Sequence, residues 1–323
     1  MNDTVFIVIE RFDGKKRFSQ EYTLSRADVH NKTVLSTLIF IKEHLDPTLN
    51  FTAACRMAIC GACGVRLNGQ PIIACDTSME EQLALYGSNR VTIAPLANFK
   101  VISDLVVDWE PALENLRKVH PSLMARKEFS KEKGCRQSAD DMEKIADMWD
   151  CILCGCCASS CNKLSVNRAD YLEPFVFNTA ARMSVDSRSK DPMIHAKPAF
   201  DNGLWKCVHC QECANVCPKH IKPVEGISIM RNITVNRGLN QGKGPEHAEA
   251  FLTDMRDTGR LNEMKMALRT EGVTAMTRVG LAVNLLRRGK VHPTELLGND
   301  PIKGQADFVR VLDLAKADAK GKE

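Results

Sequence analysis

The 323-residue sequence has no run of about eighteen uncharged apolar residues, the length a helix needs to cross a bilayer. If the protein works at a membrane, another subunit has to anchor it. Neither sign of charge is in large excess: 44 lysines and arginines are interspersed with 40 aspartates and glutamates, for a net charge of +4. That balance provides no broad basic field, so no nucleic-acid partner is expected. The opening residues, Met1 to Glu10, lack the charged n-region and long apolar core of a secretory signal. The composition is not that of a disordered chain either. At 44% hydrophobic, two or three domains of this length can build cores without a disulfide framework. What the chain has in quantity is cysteine. Its fourteen cysteines, in a chain without an export signal, read as thiols kept reduced and available for metal.

Eight of them form two matching runs. Cys151-Ile-Leu-Cys154-Gly-Cys156-Cys157-Ala-Ser-Ser-Cys161 and Cys207-Val-His-Cys210-Gln-Glu-Cys213-Ala-Asn-Val-Cys217 both read C-x2-C-x2-C-x3-C. In bacterial-type ferredoxins such a run gives three thiolates to one iron-sulfur cube and the fourth to the cube of the other run. On that rule Cys151, Cys154 and Cys157 with Cys217 hold one 4Fe-4S cluster. Cys207, Cys210 and Cys213 with Cys161 hold the second. Two alternatives stand beside this reading. Paired C-x2-C elements also close structural zinc sites, although zinc has no use for four cysteines in each run. A disulfide framework belongs to short secreted chains. Clusters tied crosswise lie close together, and closeness suits electron transfer.

The first hundred residues carry a different pattern. Val5, Ile7 and Ile9 alternate before Asp13-Gly14, and Phe18, Tyr22 and Leu24 follow at even spacing, which predicts a hairpin. From Thr33 the spacing of Leu35, Leu38, Ile41 and Leu45 is helical until Asp46-Pro47 stops it. Strand signals return at Val65 to Leu67, turn at Asn68-Gly69, continue through Pro71 to Ala74 and recur at Val91 to Ala94. This order suggests a small β-grasp sheet. Set into it, Cys55, Cys60 and Cys63, followed by Cys75, give the C-x4-C-x2-C…C arrangement of plant-type 2Fe-2S proteins. Gly61 and Gly64 suit a loop that must bring backbone N–H groups close to sulfur. A zinc loop or a set of buried thiols is the alternative.

Taken together, Cys55 to Cys75, the stretch Asn98 to Asp108, the two runs and Asp186-Ser-Arg188 resemble the iron-sulfur subunits of succinate dehydrogenases and fumarate reductases. The resemblance covers residues 1–238. It implies an α+β architecture: a β-grasp plant-type 2Fe-2S ferredoxin domain at 1–103 and an all-α bacterial-type ferredoxin domain at 104–238. A helical extension at 239–323 follows. It also implies a flavoprotein subunit that holds the FAD and interconverts succinate and fumarate, and a second partner that meets the quinone pool. Helices are expected at Pro111 to Arg117, at Ala139 to Met148 and across Asp170 to Lys190.

Two departures from the family pattern point to a particular branch. The best-known members have no cysteine at the position of Cys210 and carry a 3Fe-4S cluster there, so the extra thiolate predicts a second 4Fe-4S cluster. Asn162, Ser165, Val166 and Val208 stand where those members carry proline, tryptophan and histidine beside the quinone, and that quinone site is expected to be absent. Both features resemble the branch whose partner is a subunit with cysteine-rich CCG domains, in place of a simple membrane anchor. Within the extension, His247 to Leu252, Gly259 to Glu263 and Leu285 to Lys290 resemble the C-type proteins of heterodisulfide reductases, which pair with CCG-domain subunits.

Smaller features are read plainly. Cys135 and Cys156 are expected to be inert buried thiols, and His209 is kept out of the ligand set. Met57-Ala58 replaces a pair that ends in glycine in the family's 2Fe-2S loop. Val279, Ala282, Val283 and Leu286 form a helical stripe among basic residues, suited to internal packing, to a partner or to an anionic membrane surface. Lys316 to Glu323 reads as a frayed tail. The expected function is electron transfer between the partner's FAD and a quinone-reactive or CCG-domain subunit, within a menaquinol-linked oxidoreductase. No catalytic acid, base or nucleophile is expected in this chain. The rivals are a subunit of another flavoprotein (glycolate, glycerol-3-phosphate or thiol-linked) and a zinc-stapled scaffold. The expected location is peripheral on the cell membrane, on the cytoplasmic face, or on the periplasmic face by co-export with a twin-arginine partner.

Overall fold

The computed structural model describes residues 3–127, 129–132, 134–272, 277, 279–290, 298 and 300–321. The chain forms two compact units, Met1–Asn236 and Arg237–Glu323.

The first unit begins with a five-stranded sheet in the order β2-β1-β5-β3-β4. β1 (Thr4–Phe12) and β2 (Arg17–Ser25) form the hairpin, paired from Thr4 with Ser25 to Phe12 with Arg17. A short helix α1 (Arg26–Val29) leads to α2 (Val34–His44), whose N-terminus is closed by a reciprocal Thr33–Ser36 capping box. β3 (Gly64–Leu67) and β4 (Gln70–Ile73) turn at Asn68-Gly69. After α3 (Met79–Leu85), β5 (Arg90–Ala94) enters parallel to β1 and antiparallel to β3. The alternation in β1 turns Val5, Ile7 and Ile9 inward onto Leu35, Leu38 and Ile41 of α2, which is the core of this half.

Arg11 follows the same inward alternation, although it is charged. Its guanidinium donates to both carboxylate oxygens of Asp104, at 3.1 and 3.0 Å, and to Gln20 and Thr48. Asp104 also accepts from the backbone N–H groups of Phe12 and Asn50. A buried charge is tolerated only when it is paired and fully hydrogen-bonded, and this pairing ties the sheet to the hairpin β6 (Val101–Ser103) and β7 (Val106–Val107).

The rest of the first unit is helical. α4 (Glu110–Lys118) and α5 (Ala139–Trp149) precede the first run, α6 (Cys156–Ser159) lies inside it, and α7 (Asn162–Val166) follows. α8 (Pro174–Val185) is shorter than the expected Asp170 to Lys190. Pro174 suits only a first turn, and after Val185 the Asp186 carboxylate folds the chain back onto Arg188. α9 (Met193–Asp201), α10 (Glu212–Asn215, inside the second run) and α11 (Pro223–Asn236) complete it. Phe175, Phe177 and Ala180 of α8 pack with Ile227 and Met230 of α11 in the second core.

In the second unit, α12 (Lys243–Thr258) packs on α13 (Glu263–Glu271), and the buried Asp254 accepts from Asn262 N–H and from Arg269. α14 (Val279–Arg287) fully buries none of its side chains; of the Val279 stripe, Ala282 and Leu286 are half-buried and Val279 and Val283 are exposed. α15 (Gln305–Gly321) carries helix through most of the expected frayed tail. Its last two residues, 322–323, lie outside the described residues.

Candidate metal centres

Between α2 and β3, the loop carrying Cys55, Cys60 and Cys63 curls so that its N–H groups face sulfur. Met57, Ile59 and Cys60 donate to Cys55 Sγ at 3.4, 3.4 and 3.3 Å, and Ala58 donates to Cys75 Sγ at 3.2 Å. Arg56 and Ala58 take positive φ to allow this. Ala58 therefore adopts, with a side chain, the left-handed backbone that favours glycine. The three N–H groups lower the Cys55 thiol to about 6, whereas burial pushes Cys63 up to about 12. Four thiols thus sit in one loop and its neighbour, with backbone donors aimed at Cys55 and Cys75.

Gly61 places this loop against the first run. A Cβ on Gly61, where φ is +72°, would meet Ile152 O at 2.4 Å, and one on Gly64 would meet Cys154 O at 2.8 Å. Asn98 clamps the far end of that run, with Nδ2 lying 2.9, 3.2 and 3.1 Å from the carbonyl oxygens of Ala158, Ser159 and Cys161.

The two runs fold as near copies, with positive φ at Leu153 and Gly155 in one and at His209 and Gln211 in the other. Two small pockets lie among them. One is lined by Cys151, Cys154, Cys157 and Cys217, with Phe175, Ile221 and Pro223. The other is lined by Cys161, Cys207, Cys210 and Cys213, with Tyr171, Val224 and Ile227. Burial pushes Cys151 up to about 11, Cys213 up to about 12 and Cys157 well above its ordinary value; Cys161 and Cys217 are raised for the same reason. Thiols in such surroundings ionise only when a metal replaces the proton. Among the described residues, no three His, Cys, Asp or Glu side chains gather as a single ion would require. Two buried donors in this region, Arg182 Nε and Trp205 Nε1, have no hydrogen-bond partner. Pockets lined by four thiols, with spare donors nearby, fit sulfide-bearing clusters.

Cys156 is buried and donates to Cys154, which keeps its own proton and lowers that of Cys154. Cys135 is only half-buried and lines a surface groove with Arg126, Arg136 and Arg188. His209 accepts at Nε2 from Arg231 Nη1 at 2.9 Å, while its backbone N–H donates to Cys207 Sγ. Burial and the Arg231 charge lower the pKa of the ring. Asn162 reaches Cys210 Sγ at 3.8 Å. Sequence reasoning passed over Asn98, Trp149, Arg182, Trp205 and Arg231 as site residues. The repeat of tryptophan two positions ahead of each run was the available signal for two of them.

Comparison with known proteins agrees with this geometry. Residues 6–114 match the model of a 2Fe-2S iron-sulfur cluster binding domain, and residues 147–221 match a 4Fe-4S dicluster domain. An iron-sulfur protein that joins these two domain types is therefore the class in hand. The chain is 55% identical over 315 residues to the 8-methylmenaquinol:fumarate reductase iron-sulfur subunit of Wolinella succinogenes, covering 97% of this chain and 99% of that protein. It is 32% identical over 212 residues to the fumarate reductase iron-sulfur subunit of Haemophilus influenzae, covering 61% and 79%. A chain of the Mycobacterium smegmatis Sdh1 complex in the apo form has the same fold, with a TM-score of 0.65 at 24% identity over 73% of this chain and 97% of that one. The chain belongs to the family of iron-sulfur subunits of fumarate reductases and succinate dehydrogenases, the electron-carrying subunits of oxidoreductase complexes.

Proposed function

We propose that Cys55, Cys60, Cys63 and Cys75 hold a 2Fe-2S cluster, that Cys151, Cys154, Cys157 and Cys217 hold a 4Fe-4S cluster, and that Cys161, Cys207, Cys210 and Cys213 hold a second. The observation that carries this reading is the lining of the two pockets, each by three thiols of one run and the last thiol of the other. Cys210 lining the second pocket favours a complete cube there over a 3Fe-4S cluster. Bound clusters supply one-electron carriers. The chain's own residues orient the thiolates, exclude water and set the local field.

In the complex, the chain relays electrons between FAD in a flavoprotein partner and a second partner that meets the menaquinol pool. The Wolinella relative's name supports the menaquinol link. A CCG-domain partner fits Cys210 and the extension at 239–323, which that relative shares through its coverage. Two exposed apolar patches suit the docking of partners. Met57 and Ile59, 65% and 61% exposed, flank Cys60, and Val208, 70% exposed, neighbours Cys210. Attachment to the membrane is read as peripheral for this chain, through its partners; none of the described helices is long and apolar enough to cross a membrane.

Electron paramagnetic resonance on the anaerobically purified complex, oxidised and then stepwise reduced, tests the reading with iron and sulfide counted on the same sample. The expected result is one 2Fe-2S signal and two interacting 4Fe-4S signals, with no 3Fe-4S signal when oxidised. A strong 3Fe-4S signal in active complex would remove Cys210 from the ligand set, and zinc without sulfide would remove the redox reading altogether.

A further inference from the structure

The likeness of the two cysteine runs extends beyond their thiols. Trp149 stands two residues ahead of Cys151, and Trp205 two ahead of Cys207. α8 and α11 each open on a proline, and a little over two turns on, each carries an arginine, Arg182 and Arg231. Each guanidinium lies over the tryptophan of its own half. Arg182 Cζ is 4.4 Å from the Trp149 ring centroid, and Arg231 Cζ is 4.7 Å from that of Trp205.

Both arginines are half-buried, and each feels the first thiol of its run, Cys151 for Arg182 and Cys207 for Arg231. Their tethering differs. Arg231 donates to Leu204 O at 3.1 Å, to Cys207 O at 2.8 Å and to His209 Nε2 at 2.9 Å. Arg182 keeps its buried Nε without a partner. Other cations lie close, but on different terms. Lys163 lines the second pocket and is paired with Asp170, and Lys219 lines the first without an aromatic seat.

We infer that Arg182 and Arg231 are matched positioning residues, each a fixed positive charge seated on its tryptophan that acts on the reduction potential of one 4Fe-4S centre more strongly than on the other's. The inference rests on the ligand sets proposed above. One-electron reduction adds one negative charge to a site, with no bond made or broken. A guanidinium held beside it in a poorly solvated place favours the reduced state. Taking the charge away makes that site harder to reduce.

The test is a mediator-poised redox titration of the full chain, loaded anaerobically with iron and sulfide, reduced with dithionite and read by electron paramagnetic resonance. Arg182→Gln is expected to move the midpoint of the Cys151 centre to more negative potential by clearly more than that of the Cys207 centre. Arg231→Gln should do the reverse, and the lysine variants should stay near the parent. Glutamine variants that leave both midpoints in place, or move both equally, overturn the inference. If a glutamine variant does not take up its clusters, Trp149→Leu and Trp205→Leu decide. Each should shift its own centre in the same direction by less, and unshifted midpoints in both overturn the inference. A parent protein without two 4Fe-4S signals overturns the ligand sets beneath it, a failure read on a different sample.

Discussion

The N-terminal loop and the two cysteine runs prepare their thiols by opposite means. Around Cys55 the backbone itself supplies the stabilisation, with three N–H groups converging on one sulfur in a loop open to solvent. In the runs Cys157 and Cys213 are buried in pockets lined by Phe175, Tyr171, Val224 and Ile227, where burial raises their pKa and only metal can draw off the proton. The sheet half has a core of Val5, Ile7, Leu38 and Ile41 that also takes in Cys63 and Cys154. The helical half has Cys157, Cys161 and Cys213 inside its core. Proposed ligands thus lie in both cores, two in that of the sheet half and three in that of the helical half.

Removal of iron should break that comparison open most strongly. Metal bound only by the folded state contributes its binding energy to folding, about 10 kcal/mol or more for structural sites. Anaerobic chelation should therefore lower amide-exchange protection in α8 and α11 by about 100-fold or more, equivalent to about 3 kcal/mol, while β1 and β5, whose core holds fewer proposed ligands, lose less. Equal loss in both halves would mean that the sheet depends on metal as much as the helices do.

Gly61→Ala tests the joint between the halves. The added Cβ meets a backbone oxygen at 2.4 Å and the residue sits at φ +72°, so neither side can yield by a change of rotamer. A cost of about 2–4 kcal/mol is expected, read as a fall in the denaturation midpoint together with a weakened 2Fe-2S visible spectrum. A variant of parental stability would show that the loop and the first run are not pressed together.

Much of this was legible in the sequence. Alternation gave β1 and β2, the Asn68-Gly69 pair gave the β3–β4 turn, and α2, α4 and α5 fall within a residue or two of their expected ranges. Regular spacing also brought out every proposed ligand, because cluster chemistry fixes the number of residues between thiols. What escaped was set by tertiary contact. Asn98 is one asparagine among many until its amide is seen against three carbonyls. Arg182 and Arg231 sit in helices whose pattern reads as ordinary amphipathic sequence. α9 contains Pro198, which argues against helix, yet it holds because its other residues pack against the core. Arg11 alternates inward at a position where a charge contradicts the pattern, and only Asp104, far along the chain, explains it.

Acid should separate the halves by a smaller margin, and the sign differs in where it acts. His195, fully buried in α9, donates from Nδ1 to Val119 O at 3.0 Å and leaves Nε2 without a partner. Burial lowers its pKa below the ordinary 6.5. Above that value the ring is neutral in both folded and unfolded chains and contributes no difference. As pH falls below it, the unfolded chain takes up a proton that the folded chain refuses, and the helical half loses stability. In the sheet half the relevant group is Asp46, held well below its ordinary 3.8 by hydrogen bonds from Thr48 and Tyr22 and by the charge of Arg11. Its contribution is complete above that value and is lost only as pH falls further. Between pH 7 and about 5.5, amide protection should therefore decline in α9 and hold in β1 and β5. His195→Gln, which can keep the bond to Val119 O but cannot titrate, should flatten the decline. A decline that survives in His195→Gln would assign the acid sensitivity to the metal-bearing core instead of to this histidine.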